Sequence, residues 1–360
     1  MSNDIILPII ISVSKIYDFM DIRTLSKKLG LSITTVSRAL GGYSDVSDKT
    51  RKRVEKFAKK FKYSPNPNAS QLASGKSNII GFVLPLYGLN SNNLNQISFF
   101  DFIAGMTSKI NLENLQFFMM FVNSVAEEKK AYEKLIYVQK VDKIILHNLK
   151  IKDSRIKILK KNNVKFVTWG RTQNLKNYSW VDLDNEGSVN LIMKYLVEKN
   201  HTHIAYINIV ENYTFAFQRQ QGYIKSLKKY NIKYRNSYYI SVKTEEPEQS
   251  AILIKKLLSE NPKITALICC TEYSGVGAIK ACKDLNKKIG KNISIITFDG
   301  PIVETFSNPA LTAISHPRKE LGVKAVEMLI NMDNKNYVHQ SFLAKPKIVE
   351  RGTVHTLKKV

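Results

Sequence analysis

From Ile79 onward the chain alternates short apolar runs with longer amphipathic stretches. Ile79–Pro85 reads as a buried strand, and so do Phe117–Val122, Lys143–Leu146, Lys165–Trp169, His203–Ile207, Ala266–Cys270 and Ser294–Phe298. Between them apolar residues recur at three- and four-residue spacing. This predicts helices over Phe99–Asn111, Glu127–Gln139, Val189–Lys199, Arg219–Lys229, Ser250–Ser259, Gly275–Leu285 and Arg318–Ile330. Such alternation gives an α/β core of two doubly wound parallel-sheet subdomains in tandem. Ligands of such sheets bind beyond the carboxyl ends of the strands or between domains.

Before Ile79 the pattern is helical only. Leu25 and Leu29 form one buried side, Gly30 ends the first helix, and Ser32 caps a second whose inner side is Val36 and Leu40. The outer face of that second helix carries Ile33, Thr34, Thr35, Ser37 and Arg38. A small all-α helix-turn-helix places such a face in the major groove of DNA. Thr34 suits a base edge, Ile33 a thymine methyl and Arg38 a guanine, while Thr35 and Ser37 reach phosphates. A surface helical hairpin with a purely structural role is the alternative. A third helix follows, N-capped by Ser47, with Val54, Phe57, Ala58 and Phe61 inward and Lys49, Arg51, Lys52, Arg53, Lys56, Lys59 and Lys60 outward. Pro65 and Pro67 break it. Asn68–Ser74 is long enough for one or two further turns, in which Leu72 either wedges into a minor groove or packs within a linker.

These residues resemble the lactose-repressor (LacI/GalR) family of bacterial transcription regulators, without a gap from Ile22 to Gly75. The resemblance lies in Val36-Ser37-Arg38, Val46-Ser47 with Thr50-Arg51, and the segment from Tyr63, Pro65 and Asn66 to Leu72-Ala73. It implies that Ile33, Thr34 and Arg38 read bases and that Thr35, Ser37, Ser47 and Thr50 hold the backbone. Leu72 with Ala73 would open the minor groove at the operator centre.

The later chain resembles the periplasmic-binding-protein-like core of the same family through Val181–Gly187, Gln218–Tyr223, Gly277-Ala278, Phe298-Asp299-Gly300, Pro309–Thr312 and Val349–Thr353. The resemblance assigns effector contacts to Asp299 and Arg219. Glu272 stands where the family usually has Asp, and Asn190 where an arginine is often found. Arg171 offers an alternative guanidinium. Phe166–Thr172 is similar to a subset associated with α-glucosides and related sugars. Phe100, Phe215, Phe217 and Trp169 supply aromatic faces for sugar C–H surfaces.

The boundaries expected are an extension at 1–19, with translation starting at Met20, a helix-turn-helix domain at 20–65, a hinge at 66–77 and a core at 78–356. Within the core, 78–178 with 316–340 form one subdomain and 179–315 with 341–356 the other. The net charge of +25 fits a polyanion partner, although lysines are spread along the whole chain. Three cysteines form neither a disulfide framework nor a metal pattern, which suits a reducing cytoplasm. Residues 5–13 are apolar but too short to span a membrane. His201 and His203 lack further metal ligands, Asp182 and Asp184 lack an acid/base partner, and Gly275 with Gly277 is no dinucleotide fingerprint.

The expectation is a cytoplasmic homodimeric repressor of carbohydrate-utilisation genes, with no catalytic residues, metal or cofactor. Its partners are a palindromic double-stranded operator and a small-molecule effector, a sugar. A purine or other corepressor is the alternative within the family, and a sugar-binding protein without regulatory role the alternative outside it.

Overall fold

The computed structural model describes residues 20–63, 78–86, 96–173, 177–210, 212–243, 247–298 and 307–358. The chain divides into two units, Met1–Ser77 and Asn78–Val360. The first contains α1 (Ile22–Leu29), α2 (Ile33–Leu40) and α3 (Asp48–Lys60). Asp21 caps α1 by accepting from the Thr24 amide at 2.8 Å. Gly30 ends it in the left-handed conformation, as its position predicts. Leu25, Leu29, Val36, Ala39, Val46, Val54 and Ala58 form the core, with Met20, Leu40, Phe57 and Tyr63 packed on it. Residues 1–19 and the 66–77 segment lie outside the described residues.

The second unit is built on two six-stranded sheets. The first contains β1 (Ile79–Pro85), β2 (Gln116–Val122), β3 (Lys143–Leu146), β4 (Lys165–Trp169), β5 (Ser179–Leu183) and β11 (Ser341–Ala344), in the spatial order β11-β5-β4-β3-β1-β2. The second contains β6 (Ile204–Ile209), β7 (Tyr239–Val242), β8 (Ala266–Cys269), β9 (Ser294–Phe298), β10 (Thr312–Ser315) and β12 (Lys347–Val349), in the order β12-β10-β9-β8-β6-β7. Only β12 runs antiparallel to its neighbour among the described ladders. The helices are α4 (Gln96–Leu112), α5 (Val125–Glu133, extended by a π turn over Lys134–Val138), α6 (Ser154–Lys161), α7 (Asn185–Glu198), α8 (Thr214–Lys229), α9 (Pro247–Glu260), α10 (Glu272–Asp284) and α11 (Arg318–Asn331). Strand residues alternate between two faces. In β1, Ile80 and Phe82 join the cluster containing Phe102 and Met106 of α4 and Leu321 and Ala325 of α11. Val83 joins Ala131 and Tyr132 of α5 and Ile156 and Leu159 of α6.

Two expectations need correction. Residues 179–183 and 341–344 belong to the first sheet, because β5 pairs with β4 through Val167↔Ser179 and β11 pairs with β5 through Ser341↔Trp180. The chain changes sheets only after Leu183, again between Ser315 and Arg318, and a third time between Ala344 and Lys347. Several helices also begin three to five residues earlier than their apolar stripes. In α7 and α10 the first turn is polar and is set by a cap, Asp184 and Thr271 respectively. His201 bonds Thr265 Oγ1 through Nδ1 at 2.9 Å and meets the His355 carbonyl and Ser294 Oγ through Nε2, both at 3.0 Å. His203 meets the Tyr238 hydroxyl at 2.9 Å. His201 therefore fastens the second sheet to the C-terminal segment, and His203 ties the start of β6 to the turn before β7. Among the described residues no cluster of His, Cys, Asp and Glu is placed to hold a metal, and no helix is long and apolar enough to cross a membrane.

Candidate functional site

In the first unit α2 presents Ile33, Thr34 and Ser37 to solvent, with Ile33 45% exposed. Thr35 is half-buried, and its amide donates to Ser32 Oγ at 3.0 Å while the two hydroxyls meet at 2.8 Å. Ser47 and Thr50 repeat the arrangement at the start of α3, with their hydroxyls 2.9 Å apart. These side chains thus set where each helix begins. Arg38 does not stand free: its Nη2 lies 2.8 Å from Asp45 Oδ2, and its guanidinium carbon is 4.6 Å from the Tyr43 ring centroid. The hydrogen bond from Arg38 holds the Asp45 carboxyl below its ordinary range. Two cations read as outward-facing are structural. Arg51 donates to the Tyr43 and Val46 carbonyls, and Arg53 donates to the Leu29 carbonyl at 3.0 Å, closing the end of α1. Only 14 of the 55 Lys and Arg residues precede Asn78, so net charge does not by itself locate the DNA-binding face. Leu72 and Ala73 lie outside the described residues.

In the second unit the carboxyl ends of strands from both sheets deliver side chains to one buried cluster. Arg219 of α8 is 5% exposed. Its Nε donates to Asn185 Oδ1 at 2.9 Å, and its Nη1 donates to the Cys270 carbonyl after β8. Its guanidinium carbon is 3.4 Å from the Phe298 ring centroid at the end of β9 and 4.9 Å from that of Phe215. Asn185 Nδ2 also reaches Gln218 Oε1 at 3.1 Å and Asp182 Oδ1 at 3.3 Å. Gln218 Nε2 donates to the Arg171 carbonyl at 3.2 Å. Arg171 returns to Asp182 across 3.6 Å and lies over Trp180. Burial pushes the Asp182 carboxyl up to about 7, against the pull of Arg171. Beside this ring Trp169 stacks on Phe102 at 4.1 Å and meets His316 edge-on at 5.6 Å. The two lobes are also joined by backbone, Thr214 N–H to the Leu149 carbonyl at 2.8 Å and Ile151 N–H to the Asn212 carbonyl at 3.0 Å.

The structure brings Trp169, Arg171 and Arg219 together at these strand ends and puts Glu272 in the first turn of α10, two residues after Cys270. It corrects two other expectations. Phe100 is 48% exposed, whereas Phe99 faces Trp169 at 5.4 Å; adjacent helical residues point about 100° apart. Asn190 accepts from Lys229 Nζ at 3.1 Å on the exposed α7–α8 surface, and Asn185, at the strand exit, takes the inward position. Phe215, one of the two expected aromatics of α8, packs on Arg219. Asp299 lies outside the described residues. Sequence reasoning missed Asn185 and Gln218, although both sit in the motifs that locate Asp182 and Arg219. It also missed His147, stacked on Phe82 at 4.9 Å, and His316.

Burial lowers His147 and His201 to about 4 and takes His316 well below its ordinary value. Below pH about 6.5 the unfolded chain protonates these groups and the folded chain does not, so stability is lost as pH falls towards 4. Asp182 acts in the opposite sense, because its raised value means that the folded protein holds a proton between about pH 7 and 4. One of the three histidine contributions is offset, and a net loss of about 1–3 kcal/mol per pH unit is expected. Urea midpoints at pH 7.5, 6 and 5 check this; a flat profile contradicts it.

A model described as "Bacterial regulatory proteins, lacI family" matches residues 23–66, and one described as "Periplasmic binding protein-like domain" matches residues 193–354. The chain is 30% identical over 343 residues to the HTH-type transcriptional regulator AglR of Rhizobium meliloti (strain 1021), covering 93% of this chain and 94% of that one. Among solved structures it is similar to the lac repressor dimer bound to operator and the anti-inducer ONPF, with a TM-score of 0.77, 21% identity, and coverage of 94% of this chain and 99% of that chain. It is also similar to the transcriptional regulator CelR in complex with cellobiose, with a TM-score of 0.69, 20% identity, and coverage of 93% and 99%.

Proposed function

The chain belongs to the lacI family of bacterial regulatory proteins, and from that premise we propose that it is a cytoplasmic, homodimeric repressor of carbohydrate-utilisation genes controlled by a sugar. It is a DNA-binding transcriptional regulator, and its output is operator occupancy rather than turnover of a substrate. The proposed readers of the operator are Ile33, Thr34 and Arg38 on α2, with Thr35, Ser37, Ser47 and Thr50 at the backbone. Two-fold symmetry of a dimer would make the operator palindromic.

The observation that carries the effector reading is the buried ring of Asp182, Asn185, Gln218, Arg219 and Arg171, drawn from both sheets at their carboxyl ends. Guanidinium and carboxylate groups suit hydroxyls, and the Trp169 and Phe298 faces suit the apolar surface of a sugar ring. A ligand seated there touches residues on both sides of the sheet crossovers. Its differential affinity for open and closed arrangements would set operator binding. The three cysteines, Cys269, Cys270 and Cys282, are buried, which fits a reducing compartment.

The chain has two tryptophans, Trp169 in the cluster and Trp180 under Arg171, so intrinsic fluorescence reports directly on the site. Titration with neutral sugars, uronates and purines should find a sugar that changes this emission. At about a hundredfold excess over Kd that sugar adds about 2.7 kcal/mol to stability. Stabilisation by a purine alone, with tighter operator binding, would replace the sugar reading by a corepressor one.

A further inference from the structure

The turn between α2 and α3 is built around Arg38. The Tyr43 amide donates to the Arg38 carbonyl at 3.1 Å, bringing the chain back over the end of α2. A Cβ at Gly41 would stand 2.8 Å from the Tyr43 ring, so glycine there is what lets the ring fold back. The ring then lies against the Arg38 guanidinium at 4.6 Å. Arg51 fastens the turn from its other side through the Tyr43 carbonyl at 2.9 Å and the Val46 carbonyl at 3.3 Å. Asp45, held by this turn, reaches Arg38 Nη2 at 2.8 Å.

The Arg38 and Asp45 side chains are 42% and 54% exposed, and so open an ion pair contributes little to folding. Its consequence lies in what Arg38 can still bind. A guanidinium has five N–H donors; Asp45 engages one nitrogen and Tyr43 covers one face, which leaves donors for two further acceptors. The O6 and N7 atoms of guanine are such a pair and carry no net charge. A phosphate oxygen is also an acceptor, but it brings a negative charge up against the Asp45 carboxylate.

We propose that Asp45 is a specificity-determining residue that holds Arg38 as a reader of base edges and penalises its use as a phosphate anchor. This rests on the reading of Arg38 as a base-contacting residue. Asp45 then weakens binding to arbitrary DNA more than binding to the operator, and the Tyr43 ring fixes the plane in which the guanidinium meets the groove.

The test uses the full chain and a randomised duplex library, comparing wild type with Asp45→Asn, Gly41→Ala and Arg38→Ala. Wild type selects a half-site containing a guanine that Arg38→Ala no longer prefers. Asp45→Asn binds random-sequence duplex about tenfold more tightly, its operator-to-random ratio falls about tenfold, and its salt dependence on random duplex steepens by about one phosphate. Gly41→Ala displaces the Tyr43 ring but keeps both charges; it weakens the guanine preference and leaves the salt slope unchanged. Asp45→Asn with wild-type affinity for random duplex overturns the proposal, given a melting curve that matches wild type. If Arg38→Ala selects the same sequence as wild type, the base-reading role itself falls, which is a separate result.

Discussion

Alanine at Gly105 destabilises the second unit by about 3 kcal/mol, and alanine at Gly322 does the same. A Cβ on Gly105 would lie 2.0 Å from the Lys319 carbonyl oxygen, and one on Gly322 would lie 2.2 Å from the Phe102 carbonyl oxygen. Both obstacles are backbone, so no rotamer change relieves them. Helices α4 and α11 must separate, and Phe102, Met106, Leu321 and Ala325, all buried between them and the first sheet, lose contact. One separation accommodates both methyl groups. The double variant therefore costs less than the sum of the singles, which a urea-denaturation cycle reads directly. Strictly additive losses would mean that the two glycines face independent constraints. The site should register the change as well, because Phe102 stacks on Trp169. A shift in tryptophan emission is expected in the folded single variants before any unfolding.

The sequence discloses the helix-turn-helix and β1, β2, β3, β4, β6, β8 and β9 because each rests on a local period, but it does not single out β5, β7, β10, β11 or β12. Gly30, Ser32 and Ser47 do at their helix ends what their residue types imply. Sheet membership is not a local property. Nothing in Ser179–Leu183 distinguishes the last strand before the first crossover from the first strand after it, and only pairing with β4 decides. Register on a helix is similarly ambiguous where apolar residues are adjacent, as with Phe99 and Phe100. Asn185 escaped notice for another reason: it lies in a first turn whose polar residues interrupt the apolar stripe, and such turns are where strand ends and ligand sites meet. Arg53 and Arg51 read as surface cations because a sequence does not reveal which carbonyls a folded helix leaves without donors.

Replacing Arg219 with methionine abolishes the response to effector while leaving effector-free operator binding in place. Among the described residues, the guanidinium bonds both Asn185 at the exit of the first sheet and the Cys270 carbonyl after β8. Removing one partner of a buried, charged hydrogen-bonded set costs about 2–5 kcal/mol, so effector affinity should fall by about a hundredfold or more. Folding should suffer less. Methionine fills the space between the Phe298 and Phe215 rings, and loss of the donors to Asn185 and Cys270 is partly offset by no longer burying a cation whose burial already lowers its proton affinity. Arg219→Lys keeps the charge but not the planar fork, so it restores stability without restoring affinity. The measurement is a fluorescence titration of both variants with the sugar that shifts the wild type, set beside operator binding without sugar. Wild-type titration by Arg219→Met would leave Arg219 a strut between the sheets, with the ligand held by Arg171 and Asp182 instead.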